Sequence, residues 1–274
     1  MRLIVATHHK CASNPLTRVL KEYSKAKGLI IQAIEGSDRE PVAEDCDILF
    51  LSNATYAYCV RCKSAPRVHI FRNPLDMIVS AYYSHLRTHD IQFWPALAVQ
   101  RKVLEHLSKE QGMISTAAFL ERPDFNEHVP GPLTALRGWN FDDNCFVNVR
   151  MEDLVRDPLE CLRRVAPGLF DAEARSFFDK MSFESLAHGR KLGQVDNYSH
   201  FRSGLPNQWK NELPHDLAVS VGEAFRPMLA RFYPDTLKCL EQDHHLAKAG
   251  LRTVGDKLSI FRRFTHSFCP TRDI

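Results

Sequence analysis

Two places in this chain set a cation beside small polar donors where an apolar run stops. One is His8-His9-Lys10-Cys11-Ala12-Ser13-Asn14, which follows the run Leu3–Ala6. The other is Arg72, which follows Arg67–Phe71, with Ser80 eight residues further on. Arginine offers a planar fork of N–H donors and serine adds a short one, so Arg72 and Ser80 can converge on one anion. Lys10 adds a full positive charge, Ser13 and Asn14 add donors or an N-cap, and a helix opening there presents unpaired backbone N–H groups. Both sets point to the binding of a compact anion such as a phosphate. Neither is a Walker A loop or a dinucleotide fingerprint, because GxxxxGK[ST] and GxGxxG are absent.

The elements that must position these residues read as alternating strands and helices. Leu3–Ala6 is the first strand; Leu16, Val19, Leu20 and Tyr23 then recur at helical spacing, and Gly28 can end that helix. Leu29–Ile34 and Asp47–Leu51 read as strands two and three, leading into Glu35-Gly36-Ser37-Asp38 and Ser52-Asn53. Arg67–Phe71 is strand four. Asn73 suits the cap and Pro74 the first position of the next helix. Its apolar stripe is Leu75, Ile78, Val79, Tyr82, Tyr83 and Leu86, with Asp76, Ser80, Ser84 and Arg87 on the other face. This alternation predicts an α/β domain with a central parallel sheet and a ligand off the strands' C-terminal ends. Lys10, Glu35, Asn53 and Arg72 all fall on that edge.

Composition narrows the classes. A length of 274 residues with 44% hydrophobic and 25% charged content suits one soluble α/β domain. A net charge of +3 is too mild to announce nucleic acid, and suits a local pocket for a small polyanion. No apolar run reaches the ~20 residues of a membrane span, and Leu3–Ala6 is too short for a signal-peptide core, so a cytoplasmic protein is expected. The eight cysteines are expected as thiols; Cys59-Val60-Arg61-Cys62 lacks a second ligand pair, and no metal site is expected.

Taken together, Lys10-Cys11-Ala12-Ser13-Asn14 after strand one and HIFRNPLDMIVSAYYSH over residues 69–85 resemble the sulfotransferases that use 3′-phosphoadenylyl sulfate (PAPS). Phe146-Val147-Asn148-Val149-Arg150-Met151-Glu152-Asp153-Leu154 and Phe201-Arg202-Ser203-Gly204 with Gln208-Trp209-Lys210 resemble two later motifs of that family. The resemblance spans roughly Leu3 to Lys210 and implies a single-domain, P-loop NTPase-like sulfotransferase fold. It implies that Lys10, Cys11, Ala12, Ser13 and Asn14 hold the 5′-phosphosulfate, with Lys10 neutralising the leaving oxygen. It implies that Arg72, Ser80, Arg202, Ser203 and Gly204 hold the 3′-phosphate. Sulfuryl transfer of this kind needs cations where charge develops and no metal; the product is 3′-phosphoadenosine 5′-phosphate (PAP).

The chain departs from the family at three points. Ala12 stands where glycine is usual, which implies a loop built without a positive φ there. Ser203 replaces a lysine. Asn53 falls on or near the histidine that some members use as base; other branches of the family place a glutamate after strand two, which implies Glu35 as first candidate, with His85 or His89 next, while His8 and His9 sit beside the phosphosulfate loop. The expected acceptor is a hydroxyl or amine of a small molecule or carbohydrate. A P-loop-like small-molecule kinase and a PAP-binding protein without activity are the alternative readings.

The rest of the chain is read as support. Two helices are expected within 93–120, and a further helix between Pro132 and Trp139. The resemblance implies that this region covers the acceptor pocket, which Phe93, Trp94, Phe119 and Phe125 could line, but an aromatic-rich insert is more often core, and these four are read as core. Glu152 and Asp153 are expected to cap and orient a helix, while Asp171–Lys180 and Leu217–Phe232 flank the sheet. Asp243-His244-His245 reads as exposed helix. The domain is expected over 1–245, with a basic tail over 246–274.

Overall fold

Leu3, Ile4, Val5 and Ala6 have no exposed surface, which requires a strand covered on both faces. They belong to β1 (Leu3–Thr7), the centre of a five-stranded sheet ordered β2-β3-β1-β4-β5. The other strands are β2 (Ile31–Glu35), β3 (Ile48–Ser52), β4 (Arg67–Phe71) and β5 (Phe146–Arg150), and every pairing is parallel. This is a computed structural model; it describes residues 1–35, 41–62, 64–127 and 129–250, and only the backbone over 243–250. The expected tail beyond residue 250 and the side chains of His244 and His245 lie outside the described residues.

Helices cover the sheet. α1 (Ser13–Lys27) ends where Gly28 takes a left-handed conformation, φ 64°, and donates its N–H to Ser24 O. α2 (Tyr56–Arg61) and α3 (Pro74–Tyr83) follow. Leu3 and Val5 enter the core that α1 and α3 share, whereas Ile4 and Ala6 enter a second core with Tyr58 and Trp139. α4 (Pro95–Leu104), α5 (Lys109–Leu120) and α6 (Pro132–Arg137) form the middle layer. After β5 come α7 (Met151–Arg156), α8 (Pro158–Arg163), α9 (Ala174–Phe178) and α10 (Phe183–Leu186). The last are α11 (Trp209–Glu212), α12 (His215–Ala224), α13 (Arg226–Phe232) and α14 (Pro234–Gly250).

Several expectations need correction. The second strand starts two residues later than expected and takes in Glu35; the third takes in Ser52. The helix expected over Leu217–Phe232 is two helices broken at Phe225, because Pro227 has no N–H to carry the ladder through. On the polar face of α3, Asp76 is 1% exposed and accepts the main-chain N–H groups of Asn207 (2.7 Å) and Trp209 (3.1 Å). Beyond α3 the chain widens into a π-helical turn, Ser84–Thr88, closed by His89 N–H on Ser84 O at 2.8 Å. Such turns admit one extra residue and re-aim the side chains around it.

Candidate active site

α1 leaves β1 towards the β3 side of the sheet, while β4 pairs with β1 on the other side, so a crevice opens between the C-terminal ends of β1 and β4. A cleft of about 1130 Å³ lies there. Lys10, Ala12, Ser13 and Asn14 border it from the loop after β1, Arg72 and Ser80 from β4 and α3, and Arg202, Ser203 and Gly204 from the segment before α11. Glu35 and Asn53 border it from the β2–β3 edge. Of the residues expected to act, only Cys11 and His85 stand behind its wall.

The loop after β1 is wound tightly. Lys10 and Ala12 both have positive φ, 65° and 60°, so the expectation that Ala12 avoids the left-handed region is wrong. An alanine there carries a steric cost that a glycine would not. Ala12 is also the N-cap of α1, not Ser13 or Asn14, and no side chain caps the helix. The first N–H groups of α1 therefore have no intrahelical partner, and Ser13 and Asn14, which carry them, border the cleft. Ser13 Oγ donates to His8 O at 3.2 Å and lies 2.9 Å from Thr7 Oγ1. Cys11 contributes neither side chain nor N–H: it is fully buried, its N–H is spent on His8 O at 3.1 Å, and burial pushes its thiol up to about 12.

The two cations meet. Arg72 Nη1 donates to the main-chain oxygen of Lys10 at 3.2 Å, while Arg72 Nε is buried without a partner. Burial first, and then the Arg72 guanidinium, pull the Lys10 amine down to about 7. Glu152 lies on the same wall; Tyr233 donates to its Oε2 at 2.8 Å, its Oε1 is unpartnered, and burial raises its pKa against the pull of Arg72. Asp153, its neighbour, is taken by Arg150 at 2.6 Å.

Arg202 is held more firmly than expected. Its guanidinium donates to Asn197 Oδ1 at 2.7 Å, to Gln208 Oε1 and to Glu212 Oε1, and lies 4.1 Å from the centre of the Tyr83 ring. Each terminal nitrogen keeps a second N–H for a ligand. Ser203 Oγ accepts from Leu205 N–H at 3.2 Å and from Gln208 Nε2. Gly204 has φ 69°, and a Cβ there would stand 2.4 Å from the Phe183 ring, so glycine is required for the segment to close on α10.

The candidate bases divide sharply. Glu35 is exposed at the end of β2, where Asn53 Nδ2 donates to it at 2.6 Å. His85 is fully buried, bonded through Nε2 to His9 Nε2 and through Nδ1 to Gln100 Oε1, both at 2.8 Å. It has no face on the cleft; His9 and His89 do. His200, which the sequence reading did not single out, also borders the cleft, and the Lys10 charge, then burial, bring it down to about 4. Its position beside Phe201-Arg202 in a late motif was the available signal. The aromatic residues are both core and wall: Phe125 is fully buried, whereas Trp94 and the 84% exposed Phe93 border the cleft.

Among the described residues no three His, Cys, Asp or Glu side chains converge to hold a metal, and no helix is long and apolar enough to cross a membrane. The family model named sulfotransferase domain matches residues 60–233, well over half of the chain. The mouse sulfotransferase SULT7A1, solved in complex with PAP, superposes with a TM-score of 0.51 at 15% identity, over 88% of each chain. A retinol dehydratase solved with retinol and PAP gives 0.50 at 11% identity, over 84% of this chain and 82% of that one. At such identities the likeness is one of fold. No curated protein matches the chain.

Proposed function

The chain belongs to the sulfotransferase domain family, and on that premise we propose that it transfers a sulfuryl group from PAPS to a hydroxyl or amine of a small-molecule or carbohydrate acceptor. The observation that carries this reading is the junction of Lys10 with Arg72, which joins the two anion-binding motifs across one cleft. The donor set fits a nucleotide with phosphates at both ends. Arg72 has a buried Nε without a partner, Ser80 stands beside it on the cleft, and the cradle at Gly204 excludes a Cβ. Lys10, Ser13, Asn14 and the opening N–H groups of α1 would hold the phosphosulfate end. Arg72, Ser80 and the spare N–H groups of Arg202 would hold the 3′-phosphate.

PAPS supplies the sulfuryl group when bound. The protein's part is positioning and charge: Lys10 neutralises the oxygen on which charge develops as the sulfur leaves it, and the end of α1 adds oriented N–H dipoles. A cleft this polar on one wall and aromatic at Phe93 and Trp94 on the other suits an acceptor with an apolar body and a reactive hydroxyl.

Titration calorimetry with PAP, with adenosine 5′-phosphate as control, tests the reading. Micromolar or tighter PAP binding that the control and Arg72→Ala both weaken is expected. Equal binding of the two nucleotides would mean that the 3′-phosphate site is absent. Tight PAP binding with no PAPS turnover on any acceptor would favour a binding protein of the same fold.

A further inference from the structure

We infer that His9 is the general base for the acceptor hydroxyl, its ring set by a buried hydrogen-bond chain through His85 to Gln100. The inference rests on the sulfuryl-transfer reading above. His9 Nε2 lies 2.8 Å from His85 Nε2, and His85 Nδ1 lies 2.8 Å from Gln100 Oε1. With the Gln100 oxygen as acceptor, each proton is assigned in turn. His85 carries its proton on Nδ1, so its Nε2 accepts; His9 then carries its proton on Nε2, and His9 Nδ1 is left with a lone pair. That nitrogen has no hydrogen-bond partner among the described residues, and His9 borders the cleft beside Lys10.

The surroundings hold this arrangement in place. The π-helical turn carries His85 and His89 to ring-centre distances of 5.0 and 5.2 Å from His9. Arg101 on α4 clamps that turn, donating to His85 O at 2.6 Å and His89 O at 2.5 Å. Trp94 and Phe125 meet the His9 ring edge-to-face at 5.6 and 5.4 Å. A second chain of the same make gives the contrast. His8 Nε2 lies 2.8 Å from His69 Nε2, and His69 Nδ1 2.8 Å from Asn148 Oδ1. It ends on a His8 Nδ1 that is sealed without a partner, so it braces the sheet. Only the His9 chain ends on the cleft.

The groups acting on His9 are His85 from the π-turn, Lys10 from its own loop, His89 just after the turn and His200 from the segment before α11; no carboxylate is among them. Burial and these neighbours keep the ring neutral at pH 7, the form in which a base must start. In the transfer the acceptor's O–H bond breaks and its proton goes to His9 Nδ1. The acceptor oxygen bonds to sulfur, the sulfur–oxygen bond to the 5′-phosphate breaks, and its electron pair stays on the phosphate oxygen beside Lys10. Glu35 then serves as a surface carboxylate held by Asn53. His85 and Gln100 are positioning residues.

Nitrogen-15 NMR of the histidine-labelled full chain at pH 7.5, without ligand, tests the proton placement directly. His9 protonated on Nε2 and bare at Nδ1, with His85 protonated on Nδ1, is expected; a proton on His9 Nδ1 would overturn the inference. His9→Gln should bind PAP within about threefold of wild type, yet convert PAPS to PAP with a panel of phenols and alcohols roughly 100-fold more slowly. Unchanged conversion by that variant would also overturn it. Gln100→Glu should shift the rising limb of the pH–rate profile upward and Gln100→Leu should lower kcat at unchanged PAP affinity; a Gln100 that only packs would move neither. Failure of the wild type to bind PAP strikes the sulfotransfer reading, and leaves the proton placement to stand or fall by the NMR.

Discussion

Arg72 and Lys10 stand 62 residues apart in the chain, yet the guanidinium of one donates to the main-chain oxygen of the other at 3.2 Å. β1 and β4 are neighbours in parallel register, Thr7 opposite Ile70, so the loops that leave them emerge side by side. The arginine thereby fixes a loop whose Lys10 and Ala12 both sit at positive φ.

Replacing Arg72 should act twice. Arg72→Ala should weaken PAP by about 10- to 100-fold, the range for charge-assisted hydrogen bonds of about 1.5–3 kcal/mol. Arg72→Lys should recover little, because a lysine cannot both hold Lys10 O and present a fork to a phosphate. Calorimetric titration of both variants checks this; full recovery by lysine would show that charge alone suffices.

PAP binding should take up a proton at Lys10. Its amine is held near 7 in the ligand-free cleft and returns to the charged form beside an anion. Affinity should therefore fall as pH rises from 7 to 9, by up to about tenfold per unit. His9, His89 and His200 are all held below the usual histidine value and are already neutral there. Titrations in buffers of different ionisation enthalpy report the proton, and Lys10→Arg should flatten the trend.

Acid should unfold the protein early. Burial lowers His8 to about 3 and holds His9, His69 and His85 well below 6.5. Below pH 6.5 the unfolded chain binds protons that the native state refuses, so this stability is present above 6.5 and drains as pH falls. His8, held near 3, accounts for about 2 kcal/mol between pH 7 and pH 5, a large share of a typical domain's ~5–15 kcal/mol, and the other three act in the same direction. Urea midpoints at pH 7.5, 6 and 5 measure it; a constant midpoint would show that these rings charge in place.

Two substitutions at left-handed positions should have opposite signs. Ala12→Gly should stabilise the chain by about 1 kcal/mol by removing the Cβ from φ 60°. Gly204→Ala should destabilise it by about 1–3 kcal/mol and weaken PAP binding, because its Cβ meets Phe183 at 2.4 Å. Thermal melts and PAP titrations of both variants check the pair.

Local chemistry made much of this fold legible. Pro74 at the first helical position and Asn73 as its cap, accepting Leu75 N–H at 3.1 Å, are set by residues adjacent in the chain. So is the end of α1 at Gly28. The four short runs rich in apolar and β-branched residues read as strands of a covered parallel sheet, and that topology brings the ends of β1 and β4 together. Lys10, Glu35, Asn53 and Arg72 could thus be placed on one edge from the sequence, and all four border the cleft.

What the sequence could not carry is set by contacts between distant segments. Nothing local marks the π-helical turn at Ser84–Thr88, which decides that His85 turns inward and His9 takes the cleft. Asp76 is placed by sequence only on the polar face of its helix; that it anchors residues 207–209 is decided by the distant segment that closes over it. Arg202 reads as a waiting cation until Glu212, Gln208 and Asn197 are seen to hold it. Residue type and spacing determined the elements and the sheet edge on which Lys10 and Arg72 meet, because strand burial, capping and helical periodicity act over a few residues. Only the tertiary structure decided which of these histidines borders the cleft and which is buried behind it, because each ring is held by partners that the chain brings back from 76 and 15 residues away.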